Sequence, residues 1–258
     1  MTDASLLAVT RVRHTLKRRL LQVTDVKLVT PHLTRVTLSG ADLADFVSAS
    51  FDDHVKVFFP NPGQEKPALG EGGEKPIARD FTPRRFDARA FELDLEFVLH
   101  HAGPASLWAE TAAPGQWLGI GGPRGSFVIP SGFDGHLLIG DDTALPAIAR
   151  RLEELPAGAQ ATAIVEIPDV SAKVDFSTQA DLTTIWIERD SAEDAWNRAV
   201  REVPLPSGEG YIWAAGEASS IRALRKNLVE ERGWPRTRIR AAAYWKRGAA
   251  AVHENFED

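Results

Sequence analysis

The feature that most constrains this chain is a change of hydrophobic period near residue 130. From residue 23 to about residue 129, apolar residues recur at every second position, as in "LTRVTL" (33–38), "HVKVFF" (54–59) and "FELDLEFVLH" (91–100). Successive side chains of a strand point to opposite faces, so Phe91, Leu93, Leu95, Phe97 and Leu99 share one face while Glu92, Asp94 and Glu96 share the other. This alternation predicts half-buried antiparallel strands, and the turn-rich breaks between them predict a small β-barrel or sandwich. One break, "NPGQEKPALGEGGEKP" (61–76), has the Gly, Pro and charge content of a surface loop.

After "PSGFDG" (130–135) short apolar strands alternate with amphipathic helices. "HLLIG" (136–140) leads into "DDTALPAIARRLEELP", where Ala144, Ile148 and Leu152 share one helical face and Asp141, Asp142 and Thr143 stand where an N-cap belongs. The strands "TAIVEIP", "TTIWIER", "GYIWAAGE" and "RIRAAAYW" and the helices "SAEDAWNRAVREV" and "SSIRALRKNLVEERG", the latter closed by Gly233, complete the pattern of a parallel α/β sheet. The connection across 169–181 carries no helical pattern and is expected to be irregular. The prediction is therefore two domains, an antiparallel β-barrel over 1–130 and a parallel α/β domain over 131–258. In the second, ligands belong at the carboxyl ends of the strands.

Composition narrows the chemistry. The 258 residues contain no cysteine, which excludes disulfides, thiolate nucleophiles and Cys-ligated iron–sulfur or zinc sites. Redox chemistry would have to come from a bound organic cofactor. A net charge of -6 argues against nucleic-acid binding, and no apolar run approaches the roughly 20 residues of a spanning helix, so no membrane insertion and a cytoplasmic location are expected. His54, His100 and His101 show no metal-ligand spacing, and no metal is assigned.

Against that acidic background, "ARDFTPRRF" (78–86) gathers three arginines around an aromatic ring and a Thr-Pro pair. Pro83 disfavours the helical region for Thr82, so the segment is extended, with Arg79 and Phe81 on one side and Thr82 on the other. An aromatic face, a hydroxyl and flanking guanidinium groups are the parts needed to hold a flat heterocycle tethered to a pyrophosphate. The plainer alternative is a strand edge whose arginines pair with surface acids. "GPASLWAE" (103–110) opens on Gly103 and Pro104 and turns helical, so the amides of Ala105, Ser106 and Leu107 point outward at a positive helix end. Its alternative is a capped connecting helix with Trp108 in the core. "GGPRGSF" (121–127) is a glycine turn with Arg124 at its tip.

Arg79-Asp80-Phe81-Thr82-Pro83-Arg84 resembles the Arg-x-Tyr-Thr-x-Arg flavin motif of the siderophore-interacting protein family, within the ferredoxin-reductase-like flavoproteins. The likeness continues through "DDHVKVFFP" (52–60), "LHHAGPASLWA" (99–109), "IGGPRGSF" (120–127), "GDDTALPAIARRLEELP" (140–156), "AAGEASSIRALRKNL" (214–228) and "YWKRG" (244–248). It implies an FAD-binding barrel domain and an NAD(P)H-binding-like α/β domain. Arg79 and Arg84 would then face the pyrophosphate, Phe81 the isoalloxazine and Thr82 its N5, with Asp80, His100, Gly103, Pro104, Ala105 and Ser106 completing the flavin site. Gly140, Asp142, Thr143, Gly216 and Glu217 would contact the nicotinamide nucleotide. Phe81 departs from the family's usual Tyr, which keeps stacking and loses a phenolic hydrogen bond.

The implied activity is FAD-dependent reduction of a ferric siderophore by NAD(P)H, needing no catalytic acid or base, with Lys56, Arg124, Lys246 and Arg247 attracting the anionic chelate. The alternatives are a flavin diaphorase, a reductase coupled to ferredoxin, or a non-catalytic siderophore-binding protein. A monomer is expected. For the nucleotide, Glu166 at the end of the second parallel strand favours a free ribose 2′-hydroxyl, whereas Arg189 after the third could meet a 2′-phosphate.

Overall fold

The structure is a computed structural model that describes residues 7–70, 76–99, 103–189, 195–248 and 254–255. The chain divides into two compact units, one covering Ala8–Ile129 and the other running from Pro130 and taking in Leu7.

In the first unit the strands are β1 (Thr10–Arg13), β2 (Arg18–Thr30), β3 (Leu33–Ser39), β4 (Val55–Phe59), β5 (Ile77–Phe81), β6 (Arg85–Asp87) and β7 (Glu92–Val98). Helix α1 (Pro104–Glu110), β8 (Trp117–Gly121) and β9 (Gly125–Val128) follow. β1 and β9 pair as a separate ribbon, and the other seven strands form one antiparallel sheet in the order β5-β4-β8-β2-β3-β7-β6. Laid flat, seven strands would be about 29 Å wide. The two edge strands, β5 and β6, are nevertheless joined only by Thr82, Pro83 and Arg84, a link that spans at most about 14 Å. The sheet must therefore curl until its edges approach each other, and the Arg-x-Phe-Thr segment lies at the resulting seam. Leu21, Val36, Leu38, Val57, Leu93, Leu95, Leu118 and Ile120 fill its interior, each worth roughly 1.5–3 kcal/mol in apolar burial.

Asp94 and Glu96 of β7 do not form a solvent face; both are buried. Asp94 accepts from Thr37 Oγ1 at 2.8 Å and Arg85 Nε at 2.7 Å. Glu96 accepts from Arg35 Nε at 3.0 Å, with Arg84 Nε 3.7 Å away. β7 is interior to the sheet, and the guanidinium groups of Arg35, Arg84 and Arg85 neutralise its acids.

The second unit contains β10 (Gly135–Asp141), α2 (Leu145–Glu154), β11 (Gln160–Ile167), β12 (Asp181–Glu188) and α3 (Ala195–Glu202), then β13 (Gly210–Glu217), α4 (Ala218–Lys226), β14 (Ile239–Trp245) and β15 (Glu254–Asn255). The strand order is β12-β11-β10-β13-β14-β15, parallel except for β15, which pairs antiparallel with β14 and has no counterpart in the sequence reading. The order reverses between β10 and β13, the topological switch point of an open α/β sheet. Across 169–181 there is only a 3₁₀ turn, Val170–Ala172, as the missing helical pattern leads one to expect. Thr178 Oγ1 pins this connection to Leu152 O at 2.6 Å, and Phe176 stacks on Trp186 with centroids 5.7 Å apart. Among the described residues no helix is long and apolar enough to cross a membrane.

Candidate functional site

In the first unit β4–β5 register sets Arg79 opposite Val57 and Phe81 opposite Val55, on the side of the buried core, while Asp80 faces Lys56 on the other side. Phe81 is half-buried and packs on Phe97, centroids 4.5 Å apart, and edge-on to Phe59 at 6.3 Å. Trp108 of α1 joins the same cluster, 5.5 Å from Phe97 and 5.8 Å from Phe59. Aromatic packing thus ties the seam segment to α1, two stretches that the sequence singled out separately.

Thr82 and Arg84 are buried at the seam, and Arg84 shares Glu96 with Arg35. Arg79 is half-buried, its Nη1 donating to Ala78 O at 2.7 Å. Arg85 belongs to a different set: Asp94 and then Glu92 bond its guanidinium and hold it above its usual pKa.

Among the described residues the N-terminus of α1 has no side-chain cap; Gly103 precedes Pro104 at the first helical position, and a Cβ on Gly103 would meet no described atom within 4 Å. The first amides of a helix have no intrahelical acceptor. Ser106 Oγ donates to Val98 O at 3.1 Å, so this side chain fastens the helix to β7. A ring, a hydroxyl, guanidinium groups and an open, uncapped helix start fit a flavin joined to a pyrophosphate. His100 lies outside the described residues.

Lys56 Nζ donates to Asp80 Oδ1 at 2.7 Å, and β4–β8 register places Lys56 opposite Gly121, where β8 enters the glycine turn. Arg124 is exposed on that turn, its carbonyl accepting from His14 N at 2.9 Å. Nearby, His14, Ser126 and Asp53 have the residue types of a nucleophilic triad but not its order. Ser126 Oγ sits between the other two and donates to Asp53 Oδ2 at 2.8 Å, so its proton points at the carboxylate and not at the His14 imidazole.

In the second unit a cleft of about 380 Å³ opens at the carboxyl ends of the parallel strands, lined among others by Asp141, Glu166, Arg189, Trp196, Glu217 and Arg247. Asp141 is its anchor. Oδ1 accepts from Thr143 N at 3.0 Å and Thr143 Oγ1 at 2.5 Å, and Oδ2 from Glu217 N at 3.1 Å and Trp245 Nε1 at 2.7 Å. Burial, then the neighbouring Asp142, push the Asp141 carboxyl up to about 6 against those donors. A Cβ on Gly216 would come within 2.8 Å of Asp141 Oδ2, and one on Gly140 within 2.4 Å of Ala144 Cβ, so both glycines are required by close packing.

Asp142 is buried and accepts from Arg189 Nη2 at 3.0 Å; Arg189 Nε lies 3.7 Å from Glu166 Oε2. Burial works against the Arg189 charge, but Asp142, Glu166 and Asp141 hold its pKa above the ordinary value. Burial likewise pushes Glu166 up. Glu217 caps α4 through Ser219 N at 2.7 Å and Ser220 N at 3.1 Å, and Arg247 N reaches its Oε1 at 3.3 Å.

Of the residues expected at the nucleotide, Gly216 and Glu217 line the cleft with Arg247, whereas Gly140, Asp142 and Thr143 stand behind it in packing and hydrogen-bonding roles. Lys246 is exposed just beyond Trp245. From the residues alone Asp141 stands at an N-cap position, and neither Trp196 nor Trp245 stands out as a site residue. For Trp245 the signal was its place in "YWKRG"; for Trp196 there was none beyond a helix face.

Comparison with known proteins bears on both units. Residues 22–127 match the family model described as "Siderophore-interacting FAD-binding domain", and residues 133–248 that of "Siderophore-interacting protein". The chain is 37% identical to "Ferric vibriobactin reductase ViuB" of Vibrio cholerae over 251 residues, covering 92% of this chain and 93% of that one. It is 36% identical to the "NADPH-dependent ferric-chelate reductase" of Escherichia coli over 247 residues, 91% and 95% of the two chains. Among solved structures, the siderophore utilization protein from T. fusca superposes with a TM-score of 0.88 at 39% identity, over 95% of this chain and 98% of that one. With both units matched and relatives of this identity aligned along nearly its whole length, the chain belongs to the siderophore-interacting protein family.

Proposed function

We propose that the protein is an FAD-dependent ferric-siderophore reductase that draws electrons from a nicotinamide nucleotide and releases iron as Fe(II). The observation that carries this reading is the barrel seam. There Phe81, flanked by Arg79, Thr82 and Arg84, packs on the Phe59–Phe97–Trp108 cluster and so links the seam segment to α1, the helix with the open start, within the span matched to an FAD-binding domain.

Bound FAD supplies the conversion of a two-electron hydride donor into single-electron steps. The chain's part is positioning and electrostatics. Phe81 offers a ring held in place by Phe97, Thr82 a hydroxyl beside it, and Arg79, Arg84 and the α1 amides positive ends for a pyrophosphate. Lys56 and Arg124, on and beside the β4–β8 pair, attract an anionic ferric chelate; Lys246 and Arg247 are the corresponding cations of the second unit. Fe(II) is a softer, less charged ion that hard oxygen ligands hold weakly, so reduction itself releases it.

The test is to reduce the flavin-loaded protein with dithionite, remove excess reductant and mix it anaerobically with a ferric catecholate. Flavin reoxidation should be accompanied by trapping of Fe(II) by a ferrous chelator, faster than with free reduced FAD. Reoxidation no faster than the free-flavin control overturns the reading.

A further inference from the structure

The cleft of the second unit holds a charge arrangement that bears on which nucleotide enters it. Asp141, Glu166 and Glu217 line it, Asp142 lies directly behind, and Arg189 and Arg247 are the cations on its wall. Three carboxylates on the wall and one behind it thus stand against two guanidinium groups, and one of those guanidiniums is committed. Arg189 bridges Asp142 Oδ2 at 3.0 Å and Glu166 Oε2 at 3.7 Å, and the Asp142 side chain is only 4% exposed. Turning Arg189 towards a ligand phosphate would leave the Asp142 charge buried without this partner, a costly change. Glu166 differs from Asp142 in lining the cleft itself, at the carboxyl end of β11, where an acidic side chain accepts from a ribose 2′-hydroxyl.

We propose that this cleft selects a nucleotide with a free 2′-hydroxyl over its 2′-phosphorylated counterpart, NADH over NADPH, and that the Glu166–Arg189–Asp142 bridge is the specificity-determining element. A 2′-phosphate adds close to two negative charges to a wall already rich in carboxylates and finds its natural partner, Arg189, engaged by two of them. A 2′-hydroxyl asks only for an acceptor, and Glu166 supplies it without disturbing the bridge. The proposal rests on the reading of this cleft as the nucleotide site of a reductase.

Calorimetric titration with ADP-ribose and with 2′-phospho-ADP-ribose tests it without relying on turnover. For the flavin-loaded wild type the unphosphorylated ligand should bind at least about tenfold more tightly at low salt, the scale of one uncompensated charge contact. Raising salt to about 0.5 M should narrow that ratio, because the 2′-phosphate adds charge to be screened beyond the pyrophosphate that both ligands share. Glu166→Gln, which keeps the side chain's shape, should bring the ratio to within about threefold by weakening ADP-ribose and relieving the phosphorylated ligand. Equal or tighter binding of 2′-phospho-ADP-ribose by the wild type overturns the proposal, as does failure of both ligands to bind. In the last case the dithionite-driven assay still reports whether the protein reduces a ferric chelate, so the reductase reading stands or falls separately.

Discussion

Two residues carry more of the local structure than their neighbours. Asp141 receives four donors from three places, Thr143, Glu217 and Trp245, and so joins the ends of β10, β13 and β14. Asp141→Ala would leave those buried donors without an acceptor, a loss on the order of 3 kcal/mol, read as a lowered urea midpoint with a red-shifted Trp245 emission. An unchanged midpoint would show that the network contributes nothing net. Phe81 acts through its ring. Phe81→Ala removes the contact with Phe97 and should weaken FAD binding at least about tenfold, whereas Phe81→Tyr should retain the flavin and add a phenolic donor; equilibrium dialysis against FAD distinguishes them. Phe81 was readable in advance because Pro83 makes its segment extended and its spacing from Arg79 and Thr82 is local. The Trp245 bond to Asp141 was not readable, since it joins residues 104 positions apart.

Strand β10 shows how one element can carry opposing pH responses. Every residue of it is buried, and it holds a titratable side chain near each end, His136 and Asp141. Burial, then the Arg151 charge, depress the His136 pKa to about 4, below its ordinary 6.5. The unfolded chain therefore binds the proton more readily, and this group's contribution to stability is lost as pH falls from about 6.5 towards 4. Asp141, raised to about 6, behaves oppositely: the folded state is favoured as pH falls through about 6 towards 4. The two effects offset each other in the wild type. His136→Gln should accordingly leave Asp141 unopposed and make the stability change on going from pH 7.5 to pH 5 more favourable than in the wild type by on the order of 2 kcal/mol, measured as the change in urea midpoint between those pH values. An identical change in wild type and variant would contradict the assignment. The same scale shows where alternation misleads. β10, β3 and β4 follow from their residues, but Asp94 and Glu96 of β7 read as solvent-facing until the partners Arg35, Arg84 and Arg85 are known. Those partners come from other segments, and so does the sheet order that inserts β8 between β4 and β2.

At the scale of the molecule the acidity is unevenly held. Residues 8–129 carry 15 Lys and Arg against 14 Asp and Glu, while the remainder carries 15 against 22. The second unit thus carries -7, and the unit matched to FAD binding is close to neutral at +1. A nucleotide approaching the second unit is repelled at long range, and one with an extra phosphate more so. Between about 10 mM and 0.15 M salt the Debye length falls from about 30 Å to about 8 Å. Stopped-flow traces of flavin reduction at limiting nucleotide should therefore show second-order rates that rise with salt over this range, by a few-fold for NADPH and by less for NADH. A ferric catecholate drawn in by Lys56 and Arg124 should respond in the opposite sense, its reoxidation rate constant falling as salt rises. If both substrates slow with salt, the guanidinium groups of the cleft outweigh the field of the whole unit, and the carboxylate excess around Arg189 does not govern nucleotide entry.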